Sequence, residues 1–296
     1  VSLLQDMANA GAGADPTFIA AMRAVAANNT LDPAFRALIL ALPSEEAIAQ
    51  AMFNEGKTPE PDAIYSARAA LNKAIATEMA DDLPLLYASL KTDGPYTPNA
   101  AAAGKRALQV VALSLLSLLE HDCETARAQF ATADNMTEQF DALSTLITNN
   151  RGADAISIFY EQWKHDRLVI DKWFTVQVSN ARPTTAVDVA KKLSKHQDFD
   201  WKNPNRFRSL ISGFAMMNPA GFHNKNGCGY AFFADWLIKL DPVNPQTTAR
   251  MCGGFETWRR YDVTRQKEMR KQLTRIAATP NLSKDTSEIT GKILGC

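Results

Sequence analysis

Neither sign of charge predominates in this chain. Its 296 residues carry 32 basic and 32 acidic side chains, so no global field draws it to nucleic acid or to an anionic lipid surface. Long hydrophobic runs are also missing. The stretch from Val110 to Leu119 is interrupted by Ser114 and Ser117 and falls well short of the roughly 20 residues that span a bilayer, so no membrane span is expected. Cysteine is scarce: Cys123, Cys228, Cys252 and Cys296 are scattered and form no C-x-x-C pair. That excludes a zinc knuckle or a disulfide framework as the organising device and fits a reducing cytoplasm. Glycine and proline, 14 of each, are too few for a low-complexity chain or a many-turned β protein. Val1 stands where an initiator Met would, with no basic n-region or small-residue cleavage pattern behind it, so the chain reads as a piece of a longer polypeptide.

What is present is helical period. Leu108, Val111, Ala112, Leu115 and Leu119 follow i, i+3, i+4, i+7, i+11 spacing and form one apolar stripe. No comparable period-2 stretch occurs. Asp15-Pro16, Asp32-Pro33, Asn203-Pro204, Asn218-Pro219 and Asn244-Pro245 each set a capping side chain before a residue whose fixed φ suits the first helical position. Ser44 before Glu45 and Glu46, and Ser283 before Asp285, supply further caps with acidic first turns that suit the helix dipole. Breaks at Asn54 to Pro61, Asp93 to Asn99, Asn149 to Gly152, Ala181 to Thr184 and Pro280 to Asn281 divide the chain into many helices with short connections. Short connections make antiparallel neighbours, and a series of such pairs is an α-solenoid. No fixed repeat length is visible, so the expected fold is all-α, an irregular ARM/HEAT-like superhelix of antiparallel helix pairs spanning 1–296 as one domain. The loop at 93–99, with Gly94-Pro95 and Pro98, is either a joint or an ordinary interhelical connection.

Candidate chemistry is sparse. His121 and Cys123 stand at i, i+2, which places them on different sides of a helix and prevents chelation. His223 lies in the segment Phe222-His223-Asn224-Lys225-Asn226-Gly227-Cys228-Gly229-Tyr230, where a tight chain reversal with a hydrogen-bonding histidine is expected rather than a general base. Gly227-x-Gly229 lacks the preceding strand and third glycine of a dinucleotide loop. Trp163, Trp173, Phe174, Trp236 and Trp258 have apolar flanks at helical period and read as core. Arg206 and Arg208 fall in the first turn and a half after the Asn203 cap, where cations oppose the positive end of the dipole. Either a neighbouring Asp or Glu compensates them, or an external anion such as a peptide carboxylate does.

Several longer words are distinctive: Leu168-Val169-Ile170-Asp171-Lys172-Trp173-Phe174, Asn203-Pro204-Asn205-Arg206-Phe207-Arg208-Ser209-Leu210-Ile211, the segment from Phe222 to Tyr230, Asn244-Pro245-Gln246, and Trp258-Arg259-Arg260-Tyr261-Asp262. With these the chain resembles the C-terminal helical domain of bacterial aminopeptidase N, in the M1 family of zinc aminopeptidases. The likeness is dense from about Asn135 to Gly295; earlier it rests on pattern, as in Leu40-Ala41-Leu42-Pro43-Ser44-Glu45. The family's His-Glu-x-x-His and Gly-x-Met-Glu-Asn strings are absent, so no catalytic residue, metal ligand or cofactor is expected in this chain.

The resemblance implies a non-catalytic domain that caps the zinc site of a longer peptidase, with the catalytic domain of the same polypeptide and peptide substrates as partners. It implies further that Arg208 and Arg250 face an internal channel and meet the distal end of a bound peptide, whereas Arg206 points elsewhere and is structural. Composition and period alone equally allow a free-standing helical-repeat scaffold that binds a protein in its concave face.

Overall fold

The computed structural model describes residues 1–92 and 94–295, and every regular element in them is helical. In chain order these are α1 (Ser2–Ala10), α2 (Pro16–Ala27), α3 (Pro33–Leu40), α4 (Glu45–Asn54), α5 (Pro61–Glu78), α6 (Asp82–Ser89), α7 (Ala100–Leu116), α8 (Glu124–Thr132), α9 (Met136–Thr148) and α10 (Ala153–Trp163). There follow α11 (Arg167–Asn180), α12 (Ala186–Leu193), α13 (Pro204–Phe207), a π turn (Arg208–Ser212), α14 (Gly213–Met217), α15 (Pro219–Phe222), α16 (Cys228–Leu240), α17 (Pro245–Met251), two short 3-10 turns (Cys252–Phe255 and Trp258–Arg260), α18 (Val263–Ala277) and α19 (Lys284–Leu294). The chain forms two compact units, residues 1–48 with 63–159 and residues 49–62 with 160–295. Residues 94–99 fall inside the first unit; Asp93, the start of that loop, and Cys296 lie outside the described residues.

The helices begin where the caps place them. Asp15 accepts from Thr17 N, Asp32 from Ala34 N and Phe35 N, Asn203 from Asn205 N and Arg206 N, Asn218 from Gly221 N and Asn244 from Thr247 N. Ser44 and Ser283 likewise accept from Ala47 N and Thr286 N. Each bond satisfies a backbone donor that the helix itself leaves open, a contribution of about 1 kcal/mol.

In the first unit α7 is the central helix, packed against α3, α6, α8 and α9. Leu108, Ala112 and Leu115 of the expected stripe are buried, with Val111 half-buried. Leu113 and Leu116 are buried as well, because neighbours cover α7 on more than one side. Leu119 lies beyond the end of α7. Packing between successive helices (α2 with α3, α6 with α7, α8 with α9) and between next neighbours (α7 with α9) is the contact order of an α-solenoid.

The second unit repeats that order, with α11 against α12 and α14, α16 against α17 and α18, and α19 against α17 and α18. Its core is aromatic: Phe174, Phe207, Phe214, Phe222, Tyr230, Phe233 and Phe255 are all fully buried. Edge-to-face pairs such as Phe222–Phe233, with centroids 5.5 Å apart, set the ring geometry. Trp173 and Trp258 are buried and Trp163 and Trp236 half-buried, so the tryptophans are packing residues. His196 joins the same packing, its ring 5.1 Å from those of Tyr160 and Trp173.

The segment from Phe222 to Tyr230 is a chain reversal between α15 and α16. Gly227 takes φ +73 as the residue before α16. A Cβ on Gly229 would stand 2.4 Å from the Phe222 carbonyl oxygen, a backbone atom that cannot swing away. The close approach lets the rings of Phe222 and Tyr230 meet at 5.2 Å.

Beside this turn lies a buried polar hub. Arg265, at the start of α18, is 0% exposed. Its Nε donates to the His223 carbonyl at 2.6 Å, its Nη1 to Asp262 Oδ2 at 2.7 Å and its Nη2 to Asp62 Oδ2 at 2.9 Å. Glu60 Oε1 lies 2.7 Å from the same Nη2, an ion pair without hydrogen-bond alignment. The His223 ring shares a 2.9 Å hydrogen bond with the Tyr230 hydroxyl and packs 4.2 Å from the Tyr261 ring. A second buried acceptor, Asp241, receives Ser283 N at 2.8 Å, Ser283 Oγ at 2.6 Å and Thr286 Oγ1 at 2.5 Å, which ties the end of α16 to the start of α19.

Two outcomes follow from this packing. Gly229→Ala, which must displace backbone, should lower stability by about 1–3 kcal/mol as an overpacking change, read as the urea midpoint; an unchanged midpoint would show that the turn can open.

The second concerns acid. Burial, then the Arg260 and Arg265 guanidiniums, hold the His223 imidazole well below its ordinary range. The unfolded chain therefore takes up a proton near 6.5 that the folded chain refuses, and stability falls as pH drops below that value. Burial opposes ionisation of Glu60 and Asp262, but Arg265 prevails and holds both below the usual carboxylate range. Their contribution is complete above about 4.5 and is lost as pH falls through the lower folded values. Thermal melts across pH should thus decline in two stages, and His223→Gln should make the decline just below about 6.5 shallower. An identical slope in the variant would remove His223 as its source.

Candidate functional site

The Asn203 cap starts a helix that does not run on regularly. After one α turn the backbone widens into the π turn at Arg208–Ser212 before α14 resumes. The Ser209 carbonyl accepts from Thr175 Oγ1 of α11 at 2.9 Å, and Phe207, Leu210 and Ile211 stay fully buried. Inserted π turns recur at functional sites because they re-aim side chains without ending the helix.

Arg206 and Arg208 are separated by this backbone. Arg206 is buried. Its Nε donates to Asp171 Oδ1 at 2.5 Å, its Nη1 to the Asp198 carbonyl and its Nη2 to the Arg167 carbonyl at 3.3 Å. Its guanidinium carbon lies 5.2 Å from the centre of the Phe174 ring. Of the two compensations open for these arginines, Arg206 takes the neighbouring acid, and Asp171 is an interhelical contact. Arg208 takes neither. It is exposed, and its Nη2 donates to the neutral Asn205 Oδ1 at 2.7 Å.

Arg250 sits in the last turn of α17, where a cation complements the negative end of the helix dipole, and its side chain is exposed. Thr248 and Ala249 beside it are buried, which fixes which way α17 turns. Among the described residues no carboxylate pairs with Arg208 or Arg250, and no hydrogen bond joins the two. They are solvated guanidiniums on separate helices. Each has fork-shaped donors free for a carboxylate or a carbonyl.

The hub around Arg265 is the polar feature that sequence patterns did not single out. Its signal was present in part, since Asp262 is the N-cap of α18 and Arg265 stands at i+3 from it. Glu60 and Asp62 lie some two hundred positions away, and no spacing rule reaches them. Its chemistry is structural: a neutral buried imidazole and a tyrosine hydroxyl whose ionisation burial opposes provide no exposed nucleophile. Cys252 is buried and its thiol is pushed up to about 12 by burial, with Asp241 adding to it, so it is an inert core residue.

The described residues do not fit a zinc centre, for no group of three or more His, Cys, Asp or Glu side chains could hold a metal ion. No helix among them is long and apolar enough to cross a membrane.

The chain is 40% identical over 272 residues to Aminopeptidase N of Caulobacter vibrioides, which covers 90% of this chain and 31% of that protein. It is 36% identical over 278 residues to Aminopeptidase N of Escherichia coli, covering 93% and 31%. Among solved structures, Legionella pneumophila aminopeptidase A in complex with aspartic acid matches with a TM-score of 0.87 at 30% identity, over 99% of this chain and 36% of that one. The chain therefore spans about a third of the length of the relatives it matches. A family model described as a domain of unknown function with ARM repeats, DUF3458_C, matches residues 1–295. By that match, and by the likeness to the C-terminal helical domain of bacterial aminopeptidase N, the chain belongs to the DUF3458_C ARM-repeat family.

Proposed function

We propose that these 296 residues serve as one C-terminal, non-catalytic domain of a longer cytoplasmic zinc aminopeptidase, enclosing its active-site chamber and controlling which peptides reach it. The observation that carries this reading is the pair of exposed, acid-free guanidiniums, Arg208 and Arg250, on a family member whose relatives are aminopeptidases.

In that role the catalytic domain of the same polypeptide supplies the zinc and the general base, and this chain's residues supply geometry and charge. Arg208 leaves a buried aromatic layer from a π turn. Arg250 leaves the end of a short helix whose other face is buried. Both are thereby held on rigid backbone rather than on a mobile loop. A peptide long enough to extend beyond the reacting bond would present carbonyls and a terminal carboxylate to these cations; a dipeptide-sized substrate would not reach them. Enclosure would also limit bulk water around those contacts and strengthen them.

The test uses the full-length enzyme. Arg208→Gln and Arg250→Gln should raise KM for penta- and hexapeptides roughly fivefold to twentyfold, about 1–2 kcal/mol of lost charge-assisted bonding. Hydrolysis of an alanyl arylamide should stay within about twofold. Equal losses on both substrate classes, or none on either, would remove these arginines from a peptide channel.

A further inference from the structure

In the first unit, α2, α3, Met79 and α6 line a cavity of about 260 Å³ that opens to solvent and whose lining includes Arg36. Arg36 is 4% exposed, and a buried guanidinium ordinarily has a carboxylate beside it. This one does not. Its Nη1 donates to Asn29 Oδ1 at 3.2 Å and its Nη2 to the Ala26 carbonyl, both neutral acceptors. Its Nε, also buried, has no hydrogen-bond partner. Burial holds its pKa below the usual guanidinium value, with no acidic neighbour acting in the other direction. The last carbonyls of α2 offset part of the charge, since a helix C-terminus carries about half a negative charge. The remainder is unmatched.

The other charged groups at this cavity already have partners. Arg23 Nε donates to Asp82 Oδ2 at 2.6 Å and its Nη1 lies 3.3 Å from Glu78 Oε1. Asp82 is therefore occupied, and Arg36 is left as the uncompensated cation of the lining. The walls opposite it are apolar, formed by Met79, Leu85 and Leu86. The space is many times the roughly 10–15 Å³ that a single water needs, so a ligand of several heavy atoms fits.

We infer that this cavity is a binding site for a small aliphatic carboxylate, its anionic head on the Arg36 guanidinium and its tail against Met79, Leu85 and Leu86. The site is independent of Arg208 and Arg250, which lie in the other unit. A bound carboxylate supplies the missing counter-charge and accepts from the Nη donors that Asn29 and the Ala26 carbonyl leave over. An inorganic anion would match the charge but leave the apolar walls facing solvent. An uncharged tail would fill the walls but leave Arg36 unmatched.

The test is hydrogen–deuterium exchange on the full-length polypeptide, read on segments covering residues 16–40 and 79–90, which contain all the lining residues of this cavity. Hexanoate is compared at equal ionic strength with hexanamide, inorganic phosphate and an N-acetylated tripeptide ending in leucine. Saturable slowing of exchange in both segments by hexanoate, at least ~10-fold weaker in apparent affinity for hexanamide and phosphate, is the expected result. Leu86→Trp, which fills the cavity while leaving the Arg36 charge in place, should abolish the effect with the fold intact, whereas Arg36→Met, which removes the charge, should abolish it with the space left open. No slowing by hexanoate, or equal slowing by hexanamide or phosphate, overturns the inference. Slowing by the acetylated peptide but not by hexanoate would move the ligand to a peptide C-terminus and overturn the assignment to a free acid.

Discussion

The second unit depends on a guanidinium that water does not reach. Arg265 anchors the start of α18, the turn carbonyl at His223 and the acidic residues Glu60 and Asp62, which come from a distant part of the sequence. Taking such a cation out of water is costly, and the cost is met only because two carboxylates, a third ion pair and a carbonyl surround it in close geometry. Breaking a fully buried pair costs about 3–5 kcal/mol; here three part-exposed carboxylates share the cation, so losing one leaves Arg265 still matched by the other two. The hub therefore specifies more than it stabilises: another arrangement of these segments would strand Arg265. His223 follows from the same arrangement, because burial, with the Arg260 and Arg265 guanidiniums adding to it, favours the neutral imidazole.

The five arginines that matter here have the same chemistry and separate fates, decided by surroundings. Arg206 is buried against Asp171, Arg265 is buried among carboxylates, Arg36 is buried among neutral acceptors, and Arg208 and Arg250 face solvent. A guanidinium is effectively never deprotonated, so each environment must accept a full charge. Where acids are present, the arginine is a structural element. Where they are absent and water reaches it, the cation is available to whatever arrives. Where acids are absent and the cation is buried, as at Arg36, its charge rests on neutral acceptors alone.

Helix starts were legible because their signals are local. An Asx side chain reaches its own backbone two or three residues on, so Asp32-Pro33 or Asn244-Pro245 carries its cap within four positions. The core of α7 was legible in part: Leu108, Ala112 and Leu115 follow the period, but Leu113 and Leu116 are buried off the stripe because α7 has neighbours on several sides. The π turn at Arg208–Ser212 was not legible. It depends on Thr175 of another helix bonding the Ser209 carbonyl, and no spacing within the segment encodes that partner. The Arg265 hub and the Arg36 cavity were hidden for the same reason. Whether an arginine is paired depends on acids that approach through the fold, and composition shows only that basic and acidic residues are equal in number.

That equality has a consequence for how a neutral chain can select charged ligands. With no net field, attraction at a distance is weak, and selectivity has to come from where individual charges are left without partners. Helical pairing removes several such places, as where Arg127, Arg206 and Arg275 each meet an acid on a neighbouring helix or turn. Three arginines without a paired carboxylate stand where the backbone is irregular or where a helix ends: Arg208 at a π turn, Arg250 in the last turn of α17, and Arg36 beneath the end of α2. Arg36 meets a backbone carbonyl and an amide oxygen and Arg208 an amide oxygen, while Arg250 stands beside the last carbonyls of its helix, and no carboxylate pairs with any of the three. Carbonyls orient a guanidinium without neutralising it, so irregular backbone turns a structural arginine into a receptive one.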